Sequence, residues 1–397
     1  MANITKRKDS FLIRVSCGYD AKGKQIIKSK TWKPEEGMTE RQIEKELNKV
    51  AVEFENNVQN GNIADTYRIK MDSFCKEYLT LIENSVAPLT HNNYSRIVNK
   101  IIVPYFGHMK IREIKPAHIQ RFIQMLQEPA ARTDKKGGTL APSSVQRYFT
   151  VLKSIMSKAY KLGYIDNNPT DTARLDLPKV KQPDIEIFSQ EEAAYMLGCL
   201  ENEPLQFKLL IHLAIVTGCR RGELVALQWQ YVDLEKKTIE VRQSNYKIKG
   251  EDISTKTTKT GEKRIFSIPD YCIELLKKHR LTLKQERLKL GSLWQEGNWL
   301  FTQWNGQPMH PHTPSQWFEK FQKRHDIPHR KFHALRHTSA TLLLTSGTNI
   351  KTVASRLGHT QLSTTNRYVH SLESADKVAS NTFDDMFSPK EKSIMNK

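Results

Sequence analysis

Several features that define whole classes of protein are missing from this sequence of 397 residues. It contains no run of about 18 apolar residues, the length that a membrane-spanning helix needs. The opening segment, MANITKRKDS, carries charges but no apolar stretch of the kind found in secretion signals. The five cysteines are odd in number and no two follow a Cys-x-x-Cys spacing, which argues against a disulfide scaffold or a zinc knuckle. We therefore expect a cytoplasmic protein with free thiols.

Acidic residues are also scarce relative to basic ones. The chain has 62 lysines and arginines against 43 aspartates and glutamates, which gives a net charge of +19. Such a surface attracts polyanions, of which nucleic acid is the commonest. A membrane surface is the rival partner, but no long basic amphipathic helix is evident. The length predicts two or three domains.

The first 65 residues are predicted to form a small module of sheet and helix. SFLIRVSCGYD and QIIKSKTWK are typical of two strands joined by a turn at AKGK. An amphipathic helix follows in MTERQIEKELNKVAVEFENNV, with Thr39 as its cap. This hairpin is either a charged, solvated surface or a DNA-binding element. In the second case the candidate contacts are Arg14, Lys28, Lys30, Trp32 and Lys33.

Helical patterns dominate residues 66–172 and predict a four-helix bundle able to lie on DNA. The second helix is expected to begin at Thr90 and the fourth at Ser143 or Ser144. Two prolines and a loss of periodicity indicate a linker over 173–187.

The last region, 188–397, begins with a helix that Ser189 should cap, and mixes helices with the strand-like segments KTIEVRQSNYKIK and KRIFSIP. The predicted fold class is therefore multidomain α+β. It comprises an N-terminal β-sheet-plus-helix module, a helical bundle, and a mixed, mainly α domain with a small antiparallel sheet.

Three motifs in this last region carry groups that bind or move charge. In TGCRRGELVALQW, a Thr-Gly break should present Arg220 at the start of a helix, where its guanidinium suits a phosphate and Glu223 can brace it. TKTTKTGEKRIFSIP is expected to be a basic hairpin tip whose lysine could touch a phosphate or donate a proton. Taken alone, each of these two motifs is also compatible with a solvated surface.

HALRHTSATLLLTSG places His333 and Arg336 on one helical face, with His337 four residues after His333. A histidine pair of this spacing can bind zinc, but no third ligand follows at a suitable distance, so no metal is expected. In LGHTQLSTTNRYVH, Gly358 should end a helix just before His359, and a second short helix should carry Tyr368. That tyrosine could pack in a core, lie beside a metal, or act as a nucleophile.

In this order and spacing, the motifs resemble those of the tyrosine recombinase, or phage-type integrase, family. The likeness covers about residues 185–375, and Cys219 stands where a leucine is common in the family. The basic N-terminal module is similar to the arm-type DNA-binding domain of three-domain integrases from lambda-like phages and conjugative transposons.

The resemblance implies the chemical roles. Tyr368 would attack a DNA phosphate and form a 3′-phosphotyrosyl link, and Arg220, Arg336 and His359 would stabilise the charge that develops. His333 would accept the tyrosine proton, and Glu223 would support Arg220. Lys259, or failing that Lys256, would protonate the departing oxygen. No cofactor is implied.

The resemblance also implies partners and domain roles. Residues 1–65 would bind arm-type sites, 66–172 core-type sites, and 188–397 would be catalytic, ending in a tail that packs in cis or docks on a neighbouring subunit. The protein would be a nucleoid-associated bacterial enzyme that integrates and excises a mobile element. It would bind double-stranded DNA and act as a homotetramer on a Holliday junction. Its protein partners would be a small excisionase and a DNA-bending protein. The alternatives are a type IB topoisomerase and a catalytically silent DNA-binding regulator; a regulator would have no use for Tyr368.

Overall fold

The structure, a computed structural model, describes residues 2–19, 25–35, 37–59, 68–132, 137–181, 185–257 and 263–369. The AKGK turn, Lys259 and the C-terminal tail lie outside these ranges. The chain divides into two compact units, 1–182 and 183–397, and this division falls inside the segment expected to be the linker. Leu175 belongs to the core of the first unit, whereas Phe188 belongs to the core of the second.

The N-terminal module is an antiparallel sheet covered by one helix. Its strands are β1 (Asn3–Arg7), β2 (Ser10–Tyr19) and β3 (Gln25–Trp32), in the order β1-β2-β3, and its helix is α1 (Glu40–Gln59). The first strand was not anticipated. Ile13 of the sheet packs against Leu47 and Ala51 of the helix. Thr39 immediately precedes the helix, and its backbone N–H donates to Oε1 of Gln42 at 2.9 Å, which satisfies one of the free donors at the helix start.

The register of β2 and β3 shows on which faces of the sheet the candidate DNA contacts lie. Residues directly opposite each other are Phe11 and Trp32, Ile13 and Lys30, and Val15 and Lys28. Because opposite residues point to the same face, Trp32 lies on the helix-covered face with Ile13, and its ring centroid is 5.9 Å from that of Phe11. Arg14 points to the other face. The candidate DNA contacts therefore do not form one surface, and Trp32 packs in the small core.

The rest of the first unit is a helical bundle. Its helices are α2 (Met71–Ile82), α3 (Pro88–Ile97), α4 (Val103–Phe106), α5 (Pro116–Leu126) and α6 (Pro142–Lys161), with a π-helical turn over Val98–Ile102 between α3 and α4. The core is apolar, and α6 alone contributes residues at helical spacing: Val145, Phe149, Leu152, Met156 and Ala159.

Two of these helices begin earlier than predicted. The caps were expected at Thr90 and at Ser143 or Ser144, but Ala87 and Ala141 occupy the cap positions. The reason is the proline that follows each of them, since Pro88 and Pro142 fix a helical φ and have no N–H that needs a partner in the first turn.

The second unit surrounds two small antiparallel sheets with helices. Its helices are α7 (Gln190–Cys199), α8 (Leu205–Thr217), α9 (Arg221–Leu224), α10 (Asp270–Leu290), α11 (Thr313–Arg324), α12 (Ala334–Thr345), α13 (Ile350–Leu357) and α14 (Leu362–Val369). Its strands are β4 (Val232–Asp233), β5 (Thr238–Val241), β6 (Gln243–Lys247), β7 (Ile253–Thr257) and β8 (Arg264–Ser267), arranged as β4-β5-β8 and β6-β7. The predicted fold class is confirmed.

Two helices of the second unit show why the sequence folds this way. Ser189 caps α7 as predicted: its hydroxyl accepts from the Glu192 N–H at 3.1 Å, and the Glu192 carboxylate accepts from the Ser189 N–H at 2.8 Å. Helix α8 is apolar on all sides and is the central buried helix, packed against α12 and α10. No helix within the described ranges has the length and apolar character needed to span a bilayer.

Candidate active site

A cavity of about 370 Å³ opens in the second unit where the ends of α8, α12, α13 and α14 meet. It brings together five of the six residues that the motifs predicted to be catalytic, although they are up to about 150 positions apart in the chain. Its lining includes Arg220, His333, Arg336, His359 and Tyr368, together with Ile185, His337, Gly358, Thr360 and Thr364. The sixth, Lys259, is not among the described residues.

Two glycines in left-handed conformation end the helices that flank the cavity. Gly218 follows α8 with φ 61°, and Gly358 follows α13 with φ 65°. A Cβ at Gly218 would lie 2.7 Å from Cδ2 of Leu357, so the position requires glycine for space as well as for conformation. Both carbonyls point at arginines: Gly218 accepts from Nη1 of Arg336 at 2.8 Å, and Gly358 from Nη2 of Arg220 at 3.3 Å.

Arg220 is held by a buried carboxylate. As the residue that caps α9, it donates to Glu223 twice, from its backbone N–H at 2.9 Å and from Nη1 at 2.8 Å. Nη2 of Arg264 approaches the same carboxylate at 2.5 Å. Burial would raise the pKa of Glu223, but the charge of Arg264 and the hydrogen bonds from Arg220 and Arg264 lower it below its ordinary value. Glu223 is therefore an ionised bridge between two arginines.

Arg264 was not singled out from the sequence. It is 9% exposed and also donates from Nη1 to the Arg356 carbonyl at 3.0 Å. Arg264 and Phe266 alternate with exposed residues along β8 and therefore face the core together. The sequence pattern does not indicate this, because the intervening Ile265 is apolar yet exposed.

Arg336 is the most deeply enclosed charge of the cavity, at 2% exposure. Besides the Gly218 carbonyl, its Nη2 donates to the Leu357 carbonyl at 2.6 Å and to Nε2 of His359 at 3.0 Å. Burial, followed by the charge of Arg220, lowers the pKa of Arg336 to about 10, so the guanidinium stays charged at neutral pH. Its orientation is fixed by the ends of two helices.

His359 has a definite tautomer in this network. An arginine can only donate, so Nε2 of His359 must accept from Arg336, and the ring proton must lie on Nδ1, which is 2.8 Å from the Thr365 hydroxyl. Burial and the charges of Arg336 and Arg220 lower the pKa of His359 to about 4, in agreement with a neutral ring. His359 is thus a neutral, doubly hydrogen-bonded histidine at neutral pH.

His333 stands at the mouth of the cavity, at the cap position of α12, and is exposed. Desolvation by the surrounding protein, then the charges of Arg336 and Arg220, lower the pKa of His333 to about 4. Its ring meets that of His337 edge-on, with centroids 4.6 Å apart.

Tyr368 is buried at 3% exposure and packs with Ala340, Val353 and Leu357. Its hydroxyl lies 2.8 Å from Nδ1 of His337. Packing and reactivity are therefore compatible for this tyrosine, because the ring fills an apolar site while the hydroxyl meets a polar group of the cavity lining. From its spacing in the sequence, His337 had been considered only as half of a zinc pair. Across the described residues no cluster of three or more His, Cys, Asp or Glu side chains could hold a metal ion.

Two other residues raised by the sequence have clear positions. Lys256, the second choice for the catalytic lysine, lies on β7 with Nζ 5.3 Å from the centre of the Tyr246 ring, and it is not part of the cavity lining. Cys219 is buried behind Arg220, and burial raises the pKa of its thiol to about 11, so it acts as a small apolar residue.

Comparison with known proteins agrees with this geometry. The profile of the phage integrase family matches residues 186–375, and that of the SAM-like N-terminal domain of phage integrases matches residues 71–127. The chain belongs to the phage integrase family. This family consists of tyrosine recombinases, enzymes that cleave and rejoin DNA, so the resemblance inferred from the motifs is confirmed.

Full-length relatives support the same assignment. A tyrosine recombinase XerC-like protein of Caldanaerobacter subterraneus subsp. tengcongensis is 29% identical over 96% of this chain and 97% of its own. The ICEBs1 integrase of Bacillus subtilis is 28% identical over 78% of this chain and 81% of its own.

Solved structures share the fold. The Tn1549 transposon integrase in complex with a circular intermediate DNA superposes with a TM-score of 0.62 at 19% identity, covering 78% of this chain and 99% of that one. A lambda integrase tetramer bound to a Holliday junction gives a TM-score of 0.56 at 18% identity, covering 90% of this chain and 96% of that one.

Proposed function

We propose that this chain is a site-specific DNA recombinase that integrates and excises a mobile element, and that Tyr368 is its nucleophile. One observation carries the proposal: the hydroxyl of Tyr368 meets the same cavity as the guanidinium groups of Arg220 and Arg336. A cavity with two fixed positive charges and a phenol suits a phosphodiester, which brings negative charge and an electrophilic phosphorus.

The family resemblance implies the course of the reaction, and these groups fit it. Tyr368 attacks phosphorus, the bond to the 5′ oxygen breaks, and a 3′-phosphotyrosyl link conserves the bond energy until a second strand attacks it. Arg220 and Arg336 bind the non-bridging oxygens, whose charge increases in the transition state. Because both guanidinium groups are already anchored to helix-end carbonyls, little reorganisation is needed when the charge develops.

His359 must change partners to assist. Its Nε2 accepts from Arg336 and therefore has no proton to donate to a phosphate. An incoming phosphate competes for that Arg336 donor and stabilises the protonated imidazole. We propose that His359 gains a proton when the phosphate binds and then donates from Nε2 to a non-bridging oxygen.

The reaction needs one group that accepts the Tyr368 proton and a second group that donates a proton to the departing oxygen. The family resemblance assigns the first to His333, which lines the mouth of the cavity. The second is assigned to Lys259, with Lys256 as the fallback. The choice between these lysines stays a prediction.

Basic surface continues on both sides of the cavity. One neighbouring depression of about 580 Å³ shares Arg220 and His333 with it and adds Arg221, Arg330 and Lys331. Another of about 520 Å³ shares Gly358 and His359 and adds Lys263 and Arg356. A strand that places one phosphate in the cavity would therefore meet cations on either side, which supports double-stranded DNA as the substrate.

The remaining assignments are proposals about domains and partners. Residues 1–65 would bind arm-type sites, through Arg14 and the lysines rather than Trp32, and 66–172 would bind core-type sites. The enzyme would act as a homotetramer in the bacterial cytoplasm, assisted by an excisionase and a DNA-bending protein. Deleting residues 1–65 should abolish arm-site binding in a gel-shift assay and leave core-site binding unchanged; loss of core-site binding alone would contradict this division.

The nucleophile is tested with DNA that carries a nick near the cleavage site, so that cleavage traps the covalent complex. Wild-type protein should form a band that resists denaturant, whereas Tyr368→Phe should bind the same DNA and form none. An adduct from the phenylalanine variant would show that another residue attacks. Strand-exchanged Holliday junctions among the wild-type products would separate a recombinase from a topoisomerase.

A further inference from the structure

One hydrogen-bond partner of the Tyr368 hydroxyl is a histidine to which the family resemblance assigned no role. Nδ1 of His337 lies 2.8 Å from Oη of Tyr368, and the two ring centroids are 5.4 Å apart. His359 lies against the tyrosine as well, with its ring nearly parallel at 10° and a centroid distance of 6.3 Å. The phenol is therefore positioned by one histidine on α12 and another just after α13.

We propose that His337 is a further catalytic residue: it orients the Tyr368 hydroxyl and takes its proton during attack on the DNA phosphate. This inference rests on the proposed function, in which Tyr368 is the nucleophile. It transfers to His337 the role that the family resemblance implied for His333.

Geometry distinguishes the two histidines. A general base must lie within about 2.6–3.2 Å of the oxygen whose proton it removes, and His337 meets this condition. His333 is exposed at the cavity mouth, and its ring packs edge-on against His337. His333 is thus placed to support the ring of His337 or to contact the substrate, while His337 contacts the reacting atom.

The chemistry requires such a group. A phenol with a pKa of roughly 10 is almost fully protonated at neutral pH, so attack needs an acceptor for the proton. The Tyr368 hydroxyl donates to Nδ1 when the ring proton of His337 is on Nε2. Two arginines across the cavity, Arg220 and Arg336, favour loss of the phenol proton because they stabilise the negative charge that then passes to the phosphate.

The step balances as follows. The Oη–P bond forms, the bond between phosphorus and the 5′ oxygen breaks, and the Oη proton moves to Nδ1 of His337. The 5′ oxygen takes a proton from the leaving-group acid. In rejoining, a 5′ hydroxyl attacks the phosphotyrosine, its proton returns to the leaving-group acid, the Oη–P bond breaks, and His337 returns its proton to Oη.

The test compares matched variants of the full chain in single-turnover adduct formation on nicked DNA. In His337→Asn the amide oxygen takes roughly the place of Nδ1, so it can hold the hydroxyl but cannot accept its proton. We expect a rate loss on the order of 10²–10⁴-fold. His333→Asn is the control and should lose less. Gel-shift binding by each variant confirms that it is folded.

A modified DNA substrate and a modified tyrosine distinguish a base from an acid. A 5′-bridging phosphorothiolate releases a thiolate, which needs no proton, so it should leave the His337→Asn defect in place. Incorporating 3,5-difluorotyrosine at position 368 makes the phenol more acidic and should recover part of the lost rate.

A His337→Asn rate within a few-fold of wild type would overturn the inference, as would full rescue by the phosphorothiolate or no rescue by fluorination. In all these cases the wild-type adduct at Tyr368 still forms. Failure of the wild type itself to form that adduct would instead overturn the proposed function.

Discussion

The helical bundle of the first unit and the second unit are both mainly helical, but they bury different kinds of side chain. The second unit is called the catalytic unit below because it contains the candidate active site. Among the described residues of 68–181 the only buried polar side chain is Thr170, and no charged one is buried. The catalytic unit buries Glu223, Arg264 and Arg336 around one cavity.

This difference distinguishes apolar packing, which stabilises a domain, from buried charges, which serve the chemistry of the enzyme. The bundle keeps its ion pairs at the surface, as in Lys110 and Glu113, where they contribute little to stability. In the catalytic unit, removing charges from water is costly and is offset only by close pairing and hydrogen bonds. Buried charge of this kind is typical of sites where chemistry takes place.

The largest effect is expected from breaking the buried bridge. Glu223→Gln leaves Arg264 and Arg220 without a counter-charge and should destabilise the catalytic unit by about 3–5 kcal/mol. Urea denaturation followed by tryptophan fluorescence measures this, because all tryptophans except Trp32 lie in that unit.

Glu113→Gln in the bundle is the matched control, since Lys110–Glu113 and Arg220–Glu223 share the same i,i+3 spacing. It should change the stability of the bundle by less than about 1 kcal/mol, measured by amide hydrogen exchange in α5 and α6, because no tryptophan lies in the bundle. If the two substitutions lowered the free energy of unfolding equally, buried and exposed ion pairs would not differ between the two units.

The next effect concerns catalysis. Arg336→Lys keeps the charge but cannot reach the Gly218 and Leu357 carbonyls and a phosphate at the same time. Adduct formation should slow by about 10²–10³-fold, or ~3–4 kcal/mol of transition-state stabilisation, in single-turnover assays. A loss of only a few-fold would mean that the buried guanidinium serves structure alone.

A small effect should come from a conservative substitution in the bundle core. Ile123→Val removes one buried methylene at a fully buried position and should cost about 0.5–1.5 kcal/mol, measured by amide hydrogen exchange in α5 and α6. The adduct rate at saturating DNA should be unchanged. A slower adduct rate would show that bundle packing and chemistry are coupled.

Much of the architecture was predictable because it depends on local patterns. Amphipathic spacing located the helices, Ser189 and Glu192 marked the start of α7, and Gly358 marked the end of α13. The family resemblance, which rests on the order of the motifs, implied that Arg220, His333, Arg336, His359 and Tyr368 would lie together, and they line one cavity.

What the sequence analysis missed depends on contacts between distant segments. The ion pair of Arg264 with Glu223 joins residues on β8 and α9, and the contact of His337 with Tyr368 joins α12 and α14. The face on which Trp32 lies could not be predicted from the hairpin sequence, because strand register decides which face a side chain occupies. Such pairings are set by the fold and leave little trace in local spacing.

The proposed function depends on the attack of Tyr368 on a DNA phosphate that is bound in the cavity. The most direct measurement is proteolysis of the covalent complex formed by wild-type protein on nicked DNA, with mass spectrometry of the peptide that retains the nucleotide. We predict a 3′-phosphate attached to Tyr368. Attachment to any other residue, or a cleaved strand that carries no peptide, would contradict the account.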